Sequence, residues 1–358
     1  MKKVLIVDGS GAYSFNMARS LSYCKEIELH LLTLPTEKYS SQLKYVHCHQ
    51  IDSYANAEQW IASIRSVVEK YHIDLIMAGD EKSTRFLIEH QAILSQFARL
   101  PDLPDITAID LASNKASLSE FMSKHKLSQP ASFVYKKATD LTALSRLTPP
   151  LLFKFPSGVG GEGIKKFTHV DELETYLTES EFSEEVLCQE YINGRDICIS
   201  VLCKNGDITA YTIQQCLIEN PKTYAPSLAI EFVQNERVLD EAAGLLKLLN
   251  WQGVAHIDMR INDETGDVYI IEMNPRFWES LMASLAAGVN FSRLYCQQML
   301  GEHINFNGYK KIQYIRIKTL LELVSGKHKL LSKWRPFSLR TGLSFHLYRL
   351  RRWLSVCF

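Results

Sequence analysis

The chain has 358 residues, 46% hydrophobic and 22% charged, the composition of an ordinary globular protein with room for two or three domains and a large core. No stretch approaches the ~18 apolar residues of a membrane span, and the run Val4-Leu5-Ile6-Val7 is cut off by Asp8, too short for an export signal, so the expected compartment is the cytoplasm. The 40 basic and 40 acidic residues cancel overall but are unevenly placed.

The first 105 residues alternate between short apolar runs at 4–7, 27–32 and 74–78 and helical periodicity at 13–23 and 57–71. This predicts a Rossmann-like unit with a parallel sheet. Its first turn, Asp8-Gly9-Ser10-Gly11-Ala12, could cradle an anion but lacks the third glycine of a dinucleotide fingerprint. A second strand-to-helix turn, Gly79-Asp80-Glu81-Lys82-Ser83, suits either a small substrate or plain helix capping. The eight cysteines, at 24, 48, 188, 198, 203, 216, 296 and 357, contain no Cys-x-x-Cys pair and are expected to be reduced and mostly buried. His47-Cys48-His49 groups metal-ligating types, but neighbours on a strand point to opposite faces, so no zinc site is expected there.

Pro101 and Pro104 mark a boundary, and a new unit starts near Ile106. Its helix from Ser113 carries Lys115 in the first turn, a poor place for a cation unless an anion is nearby, although a solvated surface lysine fits the same position. The segment from Leu151 through Lys154 to Lys166 then places four glycines (Gly158, Gly160, Gly161, Gly163) in six residues after a strand whose one charge is Lys154. Backbone N–H groups of such a loop can wrap phosphates, with Lys154 as a point charge; the alternative is a hairpin tip. Further on, Gln189-Glu190-Tyr191-Ile192 runs into Asn193-Gly194-Arg195-Asp196. A strand end of this kind offers an adenine both an edge and apolar faces, with Asp196 near a ribose, although read alone the same residues fit an ordinary pair of strands joined by an Asn-Gly turn better.

Asp258 is followed fourteen residues later by Glu272 and then by Asn274. The turn-rich stretch 261–267 separates two apolar runs, so Asp258 and Glu272 are expected to face each other across a hairpin. Two carboxylates and an amide form a partial ligand set for Mg²⁺, with Mn²⁺ as a second candidate; the alternative is a pair of solvent-facing strand residues. A carboxylate at the end of the buried run 268–271 would otherwise be costly.

From Gly308 to the end stand twelve Lys or Arg against the single acid Glu322, about +11, interleaved with Trp334, Phe337, Phe345, Tyr348, Trp353 and Phe358. This suits an anionic membrane surface at the inner face, or a phosphorylated partner, as readily as a helix packed on the body. Nucleic acid is not expected, because nothing else in the chain supports it.

Lys115, Lys154 with its glycine loop, Gln189 to Ile192, Asp258, Glu272 and Asn274, in that order, resemble the ATP-grasp superfamily. The run Glu272-Met273-Asn274-Pro275-Arg276-Phe277-Trp278 followed by Ala286 to Asn290 looks like its carboxylate–amine ligase branch, and the resemblance covers roughly residues 1 to 305. The resemblance implies mixed α/β and α+β architecture: a Rossmann-like pre-grasp domain at 1–105, a two-lobed ATP-grasp domain at 106–305 (smaller lobe about 117–187, larger about 188–305) and a basic extension at 306–358. It further implies that Lys115 and Lys154 contact phosphates and that the loop Ser157 to Gly163, including Gly158, Gly160 and Gly161, closes over them. Gln189, Glu190, Tyr191 and Ile192 would bind adenine, and Asp258, Glu272 and Asn274 would hold Mg²⁺. Asp196 stands where the family more often has Glu, and Arg276 would face the transferring phosphate or the acyl phosphate. The implied activity joins a small carboxylate to an amine through an acyl phosphate, with a non-ligating ATP-binding regulator or carboxylate kinase as the alternative. A glycan-linked substrate reached through the tail, and a homo-oligomer, belong to the same set of expectations.

Overall fold

The computed structural model describes residues 1–35, 43, 46–136, 141–158 and 160–315. The basic segment from Arg316 onward, on which the membrane expectation rests, lies outside them.

The first sheet is parallel, in the order β3-β2-β1-β4, with β1 at Lys2–Ile6, β2 at Ile27–Thr33, β3 at Val46–Gln50 and β4 at Leu75–Met77. Helix α1 (Ala12–Leu21) covers one face, while α2 (Ala57–Tyr71) and α3 (Glu81–Glu89) cover the other. The apolar runs at 4–7, 27–32 and 74–78 each fall on a strand, because chain buried on both faces has no polar alternation. The strand geometry assumed for His47-Cys48-His49 holds in β3, although Val46-His47-Cys48-His49-Gln50 is half exposed and carries one aliphatic residue, so no apolar run marks it. Asp80 caps α3 in a reciprocal capping box with Ser83, so the helix-capping role expected for that turn is filled.

After the short α4 (Gln91–Leu94), helices α5 (Ile106–Ser113) and α6 (Lys115–Lys124) lead to the second sheet, β5-β8-β6-β7. Its strands are β5 (Ser132–Tyr135), β6 (Leu151–Lys154), β7 (Lys165–Phe167) and β8 (Val186–Glu190), all antiparallel, with α7 (Val170–Glu179) packed on their aromatic face. The third sheet runs β13-β12-β9-β10-β11-β14, from β9 (Gly194–Lys204), β10 (Asp207–Ile218), β11 (Ala229–Val233), β12 (Gly253–Asn262), β13 (Val268–Asn274) and β14 (Gln313–Ile315). Helix α8 (Glu236–Leu248) joins α5 and α6 on one face, around Ile197, Ile199, Val201 and Trp251. The opposite face meets the first sheet: Leu202, Ala210 and Val254 share a core with Val4, Ile6 and Met17, and with α9 (Leu281–Ala286) and α10 (Phe291–Met299). Strand β14 pairs with β11, so the residues just beyond 305 complete the large sheet.

Candidate active site

Asp258 and Glu272 lie directly opposite each other in the antiparallel β12–β13 pair, and His256 is opposite Asn274. A bulge after Asp258 leaves Ile271 unpaired and returns Glu272 and Asn274 to the face that carries His256, Asp258 and Arg260. The Asn274 amide nitrogen donates to Asp258 Oδ2 at 3.0 Å and lies 3.4 Å from Glu272 Oε1, while its oxygen accepts from Arg276 at 2.7 Å. As placed, Asn274 therefore presents a donor to the carboxylates; a ligand role for its oxygen takes an amide flip away from Arg276.

Burial, and then the Asp258 charge, push the Glu272 carboxyl above its ordinary range, against the pull of Lys115. Burial would raise Asp258 too, but His256, 3.3 Å away, and hydrogen bonds from His256 and Cys198 outweigh it and hold Asp258 below the usual carboxylate range. The donor set fits a hard divalent cation: two carboxylates on one face repel each other, and a shared Mg²⁺ relieves that repulsion.

Three other elements converge on this hairpin. Asn114 caps α6 and so fixes Lys115 in its first turn, where the ammonium reaches Glu272 Oε2 at 3.0 Å and the Gly158 carbonyl at 3.2 Å. The anion beside Lys115 is Glu272. Lys154, at the end of β6, is 4% exposed, and its ammonium donates to Gln189 Oε1 at 2.6 Å. Burial lowers its pKa to about 8, while Glu272 pulls the other way. Gly158, Gly160, Gly161 and Gly163 all have positive φ, the backbone that lets N–H groups turn toward one side. A Cβ on Gly161 would stand 2.4 Å from that of Tyr224, so the loop is docked against the β10–β11 connection there, whereas a Cβ on Gly160 would meet nothing within 4 Å among the described residues.

The expected adenine strip is more heavily engaged. Gln189 is buried, with its amide nitrogen on Ser132 Oγ at 3.0 Å; Glu190 accepts from the Thr148 N–H at 2.6 Å, and the Tyr191 N–H donates to the Pro150 carbonyl at 2.8 Å. Asp196 is ion-paired with Arg260, which also donates to the carbonyls of Ile192 and Gly194, both at 2.6 Å, and to Tyr191 Oη at 3.0 Å. Sequence reasoning missed Arg260. Its only signal was its two-residue spacing from Asp258 on one strand face.

Arg276 stacks over the Tyr13 ring of α1 at 4.0 Å and helps line a cavity with Gly79, Thr84, Pro104, Phe277 and Tyr295. The second strand-to-helix turn, besides being capped, therefore borders a recess beside the β12–β13 hairpin.

Residues 112–280 match the family model of the ATP-grasp domain. The chain is 24% identical over 216 residues to the carbamoyl phosphate synthase large chain of Thermoanaerobacter sp. strain X514, covering 57% of this chain and 20% of that protein. It thus spans about a fifth of the first such relatives' length. Among solved structures, L-amino acid ligase from Bacillus licheniformis superposes with TM-score 0.63 at 19% identity over 84% of this chain and 74% of the other. N5-carboxyaminoimidazole synthetase from Staphylococcus aureus, complexed with ADP, gives 0.66 at 17% identity over 87% and 80%. At these identities the structural likeness establishes a shared fold.

Proposed function

We propose, on the premise that residues 112–280 match the ATP-grasp domain model, that this chain is an ATP-dependent carboxylate–amine ligase. The observation that carries the proposal is the convergence of Lys115 on both Glu272 and the Gly158 carbonyl, which brings helix, glycine loop and acidic hairpin to one point. Phosphoryl transfer needs little covalent chemistry from the protein; it needs cations and positioned donors around the γ-phosphate. Lys154 and Lys115 supply cations, the loop from Ser157 to Gly163 supplies N–H groups, and Gln189 to Ile192 form the wall for adenine. Asp258 and Glu272, with Asn274 beside them, would hold Mg²⁺, which when bound neutralises phosphate charge.

A substrate carboxylate attacks the γ-phosphorus, the bond to the ADP oxygen breaks, and an acyl phosphate forms. The lone pair of an amine then attacks the acyl carbon, phosphate leaves, and the amine's proton is lost to solvent or base, giving amide, ADP and phosphate. Arg276 borders the recess that would receive the acid, and its bond to Asn274 couples that recess to the carboxylate pair. Similarity to carbamoyl phosphate synthase and to L-amino acid ligase supports acyl-phosphate and amide chemistry. The basic segment 316–358, with ten Lys or Arg against Glu322, supports an anionic surface or a glycan-linked acid as the setting of the reaction.

The test is ADP release by the full chain with Mg·ATP against pooled amino acids, dipeptides and uronic acids, with mass spectrometry of the products. A product lighter by one water than acid plus amine is expected, and Glu272→Gln should abolish release with its circular dichroism unchanged. Undiminished ADP production by that variant would overturn the assignment.

A further inference from the structure

Away from the hairpin, the first sheet gathers a second set of ligating side chains. Glu28, His30, His47 and His49 come from β2 and β3, whose parallel register sets His30 beside His47 and Leu32 beside His49. Alternation therefore separates Cys48 from its neighbours but leaves His47 and His49 on one face, the face of His30 and Glu28. The group lies toward the amino-terminal half of the sheet, away from the Gly9 and Gly79 turns.

His30 is fully buried, with Nε2 3.1 Å from Glu28 Oε1 and Nδ1 2.9 Å from His49 Nε2. His47 Nε2 stands 3.9 Å from the same Glu28 oxygen, and the His30 and His47 rings stack at 4.8 Å. One ligand atom from each of Glu28, His30 and His47 falls within 4.8 Å of the others. Tetrahedral ligands at ~2.1 Å from an ion stand roughly 3.4 Å apart, so small side-chain rotations suffice to close the set. Lys3, 3.6 Å from Glu28 Oε1 and donating to the Tyr71 carbonyl at 2.9 Å, is the competing cation.

We propose that Glu28, His30 and His47 form a binding site for a transition-metal dication of the zinc type, with His49 orienting His30 from behind. Two imidazoles and one carboxylate select such an ion over Mg²⁺, which prefers oxygen donors. The protons balance without net loss. When His30 Nε2 gives up its hydrogen bond to Glu28 and takes the ion, its proton resides on Nδ1 and is donated to His49 Nε2, the reverse of the present bond. A histidine ligand held through its other nitrogen is the usual supporting arrangement. The ion would pin the half-exposed β3 to β2.

A second cluster, Cys198, His256 and Asp258, belongs to the hairpin and must be separated from this one. Equilibrium dialysis of Zn²⁺ and Co²⁺ spectroscopy on the full chain, on His47→Ala and on Cys198→Ala make the separation. His47 is exposed, so its replacement leaves the core intact. We expect His47→Ala to lose one bound ion and the rise in Tm that Zn²⁺ gives the parent chain. Cys198→Ala should keep both, and His49→Ala should weaken binding by about 10-fold to 100-fold. Co²⁺ bound at the proposed site should show no thiolate charge-transfer band. Unchanged stoichiometry in His47→Ala, or loss of the ion only in Cys198→Ala, would overturn the proposal.

Discussion

Lys154 is the residue that the sequence singled out most firmly, because a lysine inside an apolar strand needs a reason to be there. In the fold it is buried against Gln189, and burial lowers its pKa to about 8. The free site therefore loses this cation as pH rises through that value, and a bound phosphate, which favours the charged form, restores it with uptake of a proton. ATP binding should weaken by about tenfold at pH 9 relative to pH well below 8, as one protonation step dictates. Titration calorimetry across that range checks it: Lys154→Met should bind weakly at every pH, and Lys154→Arg should bind with no slope there. A slope that persists in both variants would assign the titration to another group. Asn274 carries a lesson of the opposite kind. Its place beside two carboxylates was legible from spacing, but the direction of its amide depends on Arg276, and hydrogen-bond direction is not written in spacing.

Among the elements, the hairpin β12–β13 was readable because an apolar run, a turn-rich stretch and a second apolar run leave one pairing that buries both strands' cores. The bulge that keeps Glu272 facing Asp258 was not, since a single unpaired residue leaves no compositional trace. Strand β3, lacking aliphatic residues, was legible only as the strand assumed for His47-Cys48-His49, and β14 escaped notice because its partner β11 is remote in sequence. The glycine loop allows a sharper test. Gly160 and Gly161 both have positive φ, at 65° and 76°, so alanine at either costs roughly 1–2 kcal/mol of backbone strain. At Gly161 the new methyl also meets Tyr224, while at Gly160 it meets nothing within 4 Å among the described residues. Gly161→Ala should therefore raise KM for ATP more than Gly160→Ala does, by about tenfold or more, in steady-state kinetics. Equal effects would mean that docking against Tyr224 plays no part in loop closure.

At the scale of the whole molecule, the first sheet and the large sheet share one core, tied by the Ser20–Ser292 hydroxyl pair at 2.6 Å and by the Asn290 amide on the Ser20 carbonyl at 3.1 Å. That joint was not legible, because Val4 or Leu202 reads as core in any domain and sequence alone does not say which core. The charge asymmetry was legible, and the fold shows where to cut it. Truncation before Gly308 would remove Tyr309 from the core and β14 from the sheet edge, and any lost binding would then report damage to the body. Truncation after Ile315 spares both and removes ten Lys or Arg and Glu322, leaving 30 basic against 39 acidic residues, a body of about −9. Such a body is repelled by an anionic surface, whereas each basic residue held near one contributes ~1 kcal/mol at low salt. The full chain should therefore sediment with phosphatidylserine vesicles at low ionic strength and be released as salt shortens the screening length. The 1–315 chain should remain in solution, with its ATP binding retained. Equal sedimentation of the two would place the membrane contact on the body and leave the basic segment without that role.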